Sequence, residues 1–302
     1  MTGENNFDVI IIGGSFAGLS AAMSLGRALR SVLIIDSGLP CNRQTPHSHN
    51  FITQDGKTPN QIATIAKEQV SQYETIKFFS GTAVNATKKE KGFEIKTDAG
   101  DLFYSRKLII ATGLKDIMPE IKGFAECWGI SVIHCPYCHG YEVRNEKTGI
   151  LGNGDYGFEF SRLVSNWTEN LTLYTNGKST LAVEQAARLR KNDIPIVESE
   201  ILCFEQTSGR IQNIIFKDNS KTSITAIYAR PAVTQHSEIP SQLGCEVTEQ
   251  GRLKVDMSQK TTIDGVFACG DCSNSGRDLA LAVSSGMTAG GACNKEMILE
   301  EF

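Results

Sequence analysis

The residues with the greatest chemical capacity sit together at Cys135-Pro136-Tyr137-Cys138-His139, with His134 before them and Gly140-Tyr141-Glu142 after. Two cysteines separated by two residues can close a disulfide within a single turn of chain. A helix starting there would offer its N-terminus to a sulfur, and nearby histidines would favour the thiolate that exchanges with other disulfides. His134, Cys135, Cys138 and His139 are also ligand types for zinc, but a zinc site would need a second knuckle at suitable spacing. Cys269 and Cys272 form the only other close pair, in an apolar segment where buried core thiols are expected. Cys41, Cys127, Cys203, Cys245 and Cys293 stand alone and read as structural. A redox disulfide at Cys135 and Cys138 is the stronger reading. His139 is expected to move its proton, since imidazole suits acid–base work near neutral pH. His47-Ser48-His49 reads as a solvated loop or a hydrogen-bonding site without a catalytic role.

Such a pair needs elements to hold it. Asp8 to Ile12 is a nearly all-apolar run, as a parallel strand buried on both faces requires. The turn Gly13-Gly14-Ser15-Phe16-Ala17-Gly18 follows, then a helix over 17–30 and a second buried strand, Val32 to Asp36. This is a dinucleotide fingerprint in its proper context. Gly13 permits the tight turn, Gly18 lets helix and strand approach, and the helix N-terminus suits a pyrophosphate. Asp36 stands where a carboxylate binds ribose hydroxyls, while Ser15 replaces the usual second glycine.

A second unit opens near residue 148. Gly152-Asn153-Gly154-Asp155-Tyr156-Gly157 matches the glycine spacing fully, with Gly152, Gly154 and Gly157 as candidate NAD(P) contacts. After the strand Leu171 to Tyr174 comes Thr175-Asn176-Gly177-Lys178-Ser179, which lacks both the acid an NAD site wants and the arginines an NADP site wants. Between the units, Phe93 to Thr97 and Leu102 to Tyr104 read as a meander, and Lys107 to Ala111 as a buried strand ending at Thr112-Gly113. Ile211 to Phe216 and Thr222 to Tyr228 read as a hairpin. Near the C-terminus a strand runs into Gly270-Asp271, and a helix rich in small residues follows.

The chain has 302 residues, enough for about two domains. Lys+Arg 30 against Asp+Glu 34 leaves a net charge of -4, which gives no basic footprint for nucleic acid. Hydrophobic content of 40%, charged content of 21% and a mean hydropathy of -0.18 fit a soluble globular protein. No apolar run approaches the roughly 20 residues that span a bilayer. The polar start from Met1 to Phe7 lacks a secretory signal, so a cytoplasmic location is expected, with cysteines mostly reduced.

In the order of these motifs the chain resembles the low-molecular-weight thioredoxin reductases, over nearly its whole length. The resemblance implies an α/β fold of two Rossmann-like domains, the second inserted into the first. An FAD domain would comprise residues 1–116 and 247–302, and a pyridine-nucleotide-type domain with the redox centre residues 117–246. It further implies FAD contacts at Gly13, Gly14, Ser15, Phe16, Ala17, Asp36, Ser37, Arg43, Asn50, Val84, Ala111, Thr112, Gly113 and Asp271. Cys138 would face the flavin, Cys135 would exchange with substrate, and the assembly would be a homodimer. Three departures stand out: His139 replaces an Asp, Thr175-Asn176-Gly177 replaces His-Arg-Arg, and Leu279-Ala280-Leu281 replaces Arg-Gln-Ala. The Cys-Pro-Tyr-Cys-His-Gly-Tyr-Glu stretch is similar to that of gliotoxin-type dithiol oxidases and of related bacterial proteins. The expected partner is thus a thioredoxin-like protein or a small dithiol or disulfide. NADPH, NADH, ferredoxin and oxygen all remain open as the other redox partner, and a non-catalytic flavin redox sensor is the rival of another class.

Overall fold

The computed structural model describes residues 5–302. The chain divides into two units: one takes it up to Arg43, then Pro59–Asp116 and Val233–Phe302, and the other takes Gln44–Thr58 and Ile117–Ala232.

Unit 1 begins with β1 (Asn6–Ile12), α1 (Phe16–Arg27), β2 (Val32–Asp36), α2 (Pro59–Val70), β3 (Ile76–Ser80), β4 (Ala83–Lys89), β5 (Gly92–Thr97) and β6 (Leu102–Ile110). After β7 (Leu114–Ile117) the chain enters unit 2. There it forms α3 (Phe124–Cys127), β8 (Val132–Ile133), α4 (Pro136–His139), β9 (Thr148–Leu151), α5 (Gly154–Val164), β10 (Leu171–Tyr174), α6 (Val183–Lys191) and β11 (Ile196–Val197). β12 (Ile201–Thr207), β13 (Arg210–Phe216), β14 (Lys221–Ser223) and β15 (Ala226–Ala229) complete it. The return strand β16 (Ala232–Gln235) pairs with β7, and α7 (Ile239–Gln242), β17 (Val266–Ala268) and α8 (Leu279–Glu301) close unit 1.

The unit 1 sheet runs β3-β2-β1-β6-β5-β4, and β17 also pairs with β6. The N-terminal half of β6 takes β5 antiparallel, and its C-terminal half takes β17 in parallel. Residues 9–12 of β1 alternate between two cores: Val9 and Ile11 join one with α1 and α8, while Ile10 and Ile12 join the other, which also takes Phe7. That division covers both faces, as the apolar run requires. In unit 2 the parallel order is β11-β10-β9-β15-β8, and β12-β13-β14 form a separate small sheet.

α1 and α8 pack backbone to backbone. A Cβ on Gly286 would lie 2.1 Å from the Ala17 carbonyl oxygen, and one on Gly290 2.5 Å from that of Ala21. The last turns of α8 carry Glu296, Glu300 and Glu301, whose charges oppose the helix dipole. Cations compensate: Lys107 meets Glu296 at 2.6 Å and also holds Glu300, and Arg30 meets Glu301 at 2.8 Å.

Three boundaries differ from the sequence reading. α1 ends at Arg27, where Leu29 turns left-handed at φ 61, and so does not reach residue 30. Thr222 to Tyr228 is not one hairpin arm: β14 pairs with β13, whereas β15 leaves to join the parallel sheet. The second passage between units falls at 232/233, not at 246/247, because Ile239 is buried in the unit 1 core and Gln242 donates to the Val84 carbonyl oxygen. Residues 44–58 also group with unit 2, which no sequence pattern announced.

Gly286→Ala is expected to destabilise the fold by about 2 kcal/mol, the cost of overpacking a close helix contact. Gly291→Ala, whose new Cβ would meet nothing within 4 Å, is the control and should be neutral or stabilising. Urea denaturation of both variants decides the matter, and equal midpoints would refute the close-packing argument.

Candidate active site

Strand order sets the redox turn. β8 pairs with β15, placing Ile133 beside Tyr228, and on the other side of β15 Ile150 of β9 sits opposite Tyr228. The redox turn therefore leaves β8, and the second glycine turn leaves β9, at the same carboxyl edge of one parallel sheet. That edge is where open α/β sheets place ligands.

α4 is a single turn with Pro136 at its start and Cys135 as its N-cap, whose Sγ accepts the Cys138 N–H at 3.2 Å. This bond favours negative charge on the Cys135 sulfur. Gly140 caps the turn where a side chain would not fit, since a Cβ there would lie 2.4 Å from the Pro136 oxygen and 2.9 Å from Trp167. Trp167 in turn meets Tyr137 edge-on, with centroids 5.4 Å apart. Tyr137, between the cysteines, is 62% exposed. An open cavity of about 770 Å³ adjoins this turn, lined among others by Tyr137, Tyr156, Phe160, Trp167 and Arg230.

His139 is not the group that its type suggested. Burial, with His134 and His49 nearby, pushes its imidazole down to about 4, against the opposing pull of Glu142. It is neutral at physiological pH and can accept a proton there, but does not titrate near neutrality. Tyr228 is fully buried, its hydroxyl has no hydrogen-bond partner, and burial together with Cys135, Glu142 and Cys138 pushes its pKa far up. Among the described residues no group of three or more metal-ligating side chains could hold a metal ion. Cys269 and Cys272 are fully buried core thiols.

The two glycine turns have similar spacing and opposite chemistry. At α1 the N-cap Ser15 makes no side-chain cap bond, and no acid stands in the first turn, so the helix start keeps its positive end open. Gly13, at φ +103, would place a Cβ 2.3 Å from the Ala111 oxygen, and Gly18 one 1.9 Å from the Gly13 oxygen. At α5 the N-cap Asn153 accepts the Gly154 N–H at 2.9 Å, and Asp155 occupies the first turn. The Tyr156 ring lies over Gly152, only 2.7 Å from where a Cβ would be, and burial pushes its hydroxyl up to about 12. The loop after β10 is bound to itself: the Asn176 side chain accepts from Ile201, and Glu198 accepts from the Ser179 N–H. A pyrophosphate would meet a filled, acidic cap. The loop offers Glu198 and no arginine to a 2′-phosphate.

Around the first turn, the Asp36 carboxylate accepts from the Gly14 N–H at 2.9 Å and from Gly38 at 3.2 Å. Phe16 and Ala17 are buried in the first turn of α1. Ala111 abuts Gly13, the Thr112 hydroxyl is buried without a partner, and Gly113 is left-handed at φ 67. Gly270 approaches Ala17 within 2.9 Å of a Cβ, and burial raises the Asp271 carboxyl against the pull of Arg277. Ser37 is exposed after β2, Arg43 donates to the Pro40 oxygen, and Val84 is half-exposed on β4. Asn50 belongs to unit 2 and is not brought to this turn within unit 1. Sequence reasoning missed Arg277, which bridges Asp116 at 2.6 Å and Asp271 at 3.2 Å and lies beside Cys41. It named His49 without giving it a role, and only the fold brings that ring to Glu142 beside the redox turn.

The sequence pattern of the pyridine nucleotide-disulphide oxidoreductases matches residues 7–289. The chain belongs to this family. Among curated relatives of this oxidoreductase, thioredoxin reductase tcpT of Claviceps purpurea is 32% identical, covering 99% of this chain and 97% of its own. Thioredoxin reductase sirT of Leptosphaeria maculans is 30% identical, covering 95% and 93%. Among solved structures, an oxidoreductase from Agrobacterium tumefaciens is 34% identical with a TM-score of 0.91, over 97% of this chain and 99% of that one. The protein is an FAD-dependent thiol–disulfide oxidoreductase with the Rossmann-like fold of its structural relatives. Of the family's two groups, FAD fits the open cap of α1 and the partnerless Thr112 hydroxyl. NAD(P)H, the usual partner, does not fit the side chains at α5. No helix among the described residues is long and apolar enough to cross a membrane.

His139 is protonated less readily folded than unfolded, so the unfolded state binds more protons between about pH 4 and pH 6.5. Stability should therefore fall as pH drops through that window. The expected outcome is a declining urea midpoint from pH 7 to pH 5, with a smaller decline in His139→Asn. An equal decline in both proteins would contradict the assignment.

Proposed function

We propose that this protein oxidises a dithiol through Cys135 and Cys138 and delivers the electrons, by way of FAD, to an acceptor other than pyridine nucleotide. The observation that carries this reading is the contrast between an open α1 N-terminus and an α5 N-terminus closed by Asn153, Asp155 and Tyr156. Unit 1 is assigned as the FAD-binding half and unit 2 as the half that carries the redox pair. The cavity of about 770 Å³ beside Tyr137 supports a small dithiol as substrate.

In the proposed cycle a substrate thiolate attacks the Cys135 sulfur. The Cys135–Cys138 bond breaks, and Cys138 leaves as a thiolate. The second substrate thiol gives its proton to neutral His139 and attacks the substrate sulfur bound to Cys135; the bond to Cys135 breaks and Cys135 leaves as a thiolate. The substrate departs as a disulfide, two electrons poorer, and the pair is left reduced. Bound FAD supplies the two-electron acceptor that returns the pair to a disulfide, and oxygen is the proposed final acceptor. The relatives named thioredoxin reductase favour a second reading, in which electrons run outward to a thioredoxin-like disulfide from a donor such as ferredoxin.

Anaerobic mixing separates the two. A small dithiol is expected to bleach the visible flavin band, NADPH and NADH are expected to leave it intact, and admitted oxygen should restore it. Rapid bleaching by either nucleotide would refute the closed-cap argument. Cys138→Ser should keep its flavin and lose dithiol turnover by at least about 100-fold, since an exchange cysteine acts as a unit with its partner. Undiminished turnover in that variant would sink the assignment of the pair.

A further inference from the structure

Residues 44–58 form a closed excursion within unit 2. Ser48 donates its N–H to the Lys57 oxygen, Gly56 donates to the Ser48 oxygen, and Asn50, left-handed at φ 60, donates to Asp55 Oδ1 at 2.7 Å. With one oxygen held there, the other Asp55 oxygen faces His49 Nδ1 at 3.5 Å. His49 Nε2 faces Glu142 Oε1, also at 3.5 Å. Glu142 stands three residues after His139, in the turn that follows α4, and influences it electrostatically. The excursion has thereby placed a carboxylate–imidazole–carboxylate series against the redox turn.

We propose that His49 is a positioning residue that carries protons between the redox turn and solvent, acting through Glu142 and His139. The proposal rests on the reading of Cys135 and Cys138 as the exchanging pair. The proton leaves the substrate thiol for the His139 ring, moves to the Glu142 carboxylate, and passes to His49 Nε2. The Nδ1 proton of His49 is then released past Asp55, whose side chain is 63% exposed. No electrons move in these steps. A proton on the partly buried His139 is readily lost, because its surroundings disfavour the charged ring, and the half-exposed Glu142 carboxylate takes it toward solvent. The charged and titratable groups around His139 are His134, Glu142 and His49; Cys135, Glu142 and Cys138 in turn act on Tyr228. His47 lies beyond His49, with ring centroids 6.4 Å apart.

The test uses the flavin-loaded full chain and stopped-flow dithiol exchange across a pH series, together with the pH dependence of cysteine alkylation. His49→Ala is expected to slow exchange about tenfold at pH 7, within the range one acid–base group contributes, and to alter the pH profile. Added imidazole should restore most of the rate. Glu142→Gln should show the same loss without rescue by imidazole, because the carboxylate link is missing. Should His49→Ala lose its fold, judged by flavin content and urea midpoint, His49→Gln keeps the side-chain volume without a second proton and should show the same loss. Exchange within twofold of wild type in His49→Ala, or a loss with unchanged pH profile and no imidazole rescue, overturns the relay. An unaffected Glu142→Gln does the same. Absence of exchange in the wild-type protein would instead refute the proposed function, so the two failures are distinct.

Discussion

The first N–H groups of any helix have no partner within it, and what satisfies them decides what the helix start can hold. In this chain α1 leaves them uncapped beside a glycine turn, and α5 covers its own with Asn153 and adds Asp155. Positive potential survives at the first and is cancelled at the second. The proposed assignment of a dinucleotide to one half and not to the other rests on this difference. Glycine spacing alone does not distinguish them.

Around the pair of cysteines the governing constraint is strand order. With β15 between β8 and β9, the redox turn, the filled glycine turn and the buried Tyr228 are crowded onto one sheet edge. Trp167 and Gly140 fix the turn from one side. Burial keeps His139 uncharged at neutral pH. The same burial makes any proton on His139 quick to leave for its neighbours.

Much of this was legible in the residues. Apolar runs such as Asp8 to Ile12 announced parallel strands covered on both faces, and the two glycine turns announced two units. Less legible was anything set by contacts distant in sequence. Thr222 to Tyr228 looks like one strand, yet β14 and β15 serve different sheets because only Ala226–Ala229 has apolar neighbours on both faces. Nothing in Gln44–Thr58 says that it groups with the redox half, so His49 read as an idle loop histidine. Tyr156 fits the spacing of a nucleotide motif, but its ring over Gly152 is a tertiary fact. His139 shows its residue type in the sequence, while its burial is a property of the fold.

Nine cysteines in one chain would ordinarily invite scrambling when one pair cycles between thiol and disulfide. Burial pushes Cys272 and Cys293 up to about 12 and raises Cys269 well above the usual thiol range. At pH 7 a thiol at about 12 is ionised in only about one molecule in 10⁵, and only the thiolate attacks. The core thus holds the sulfur of Cys269, Cys272 and Cys293 chemically silent. Insulation of the working pair is, on this view, a duty of the hydrophobic core as much as its packing is.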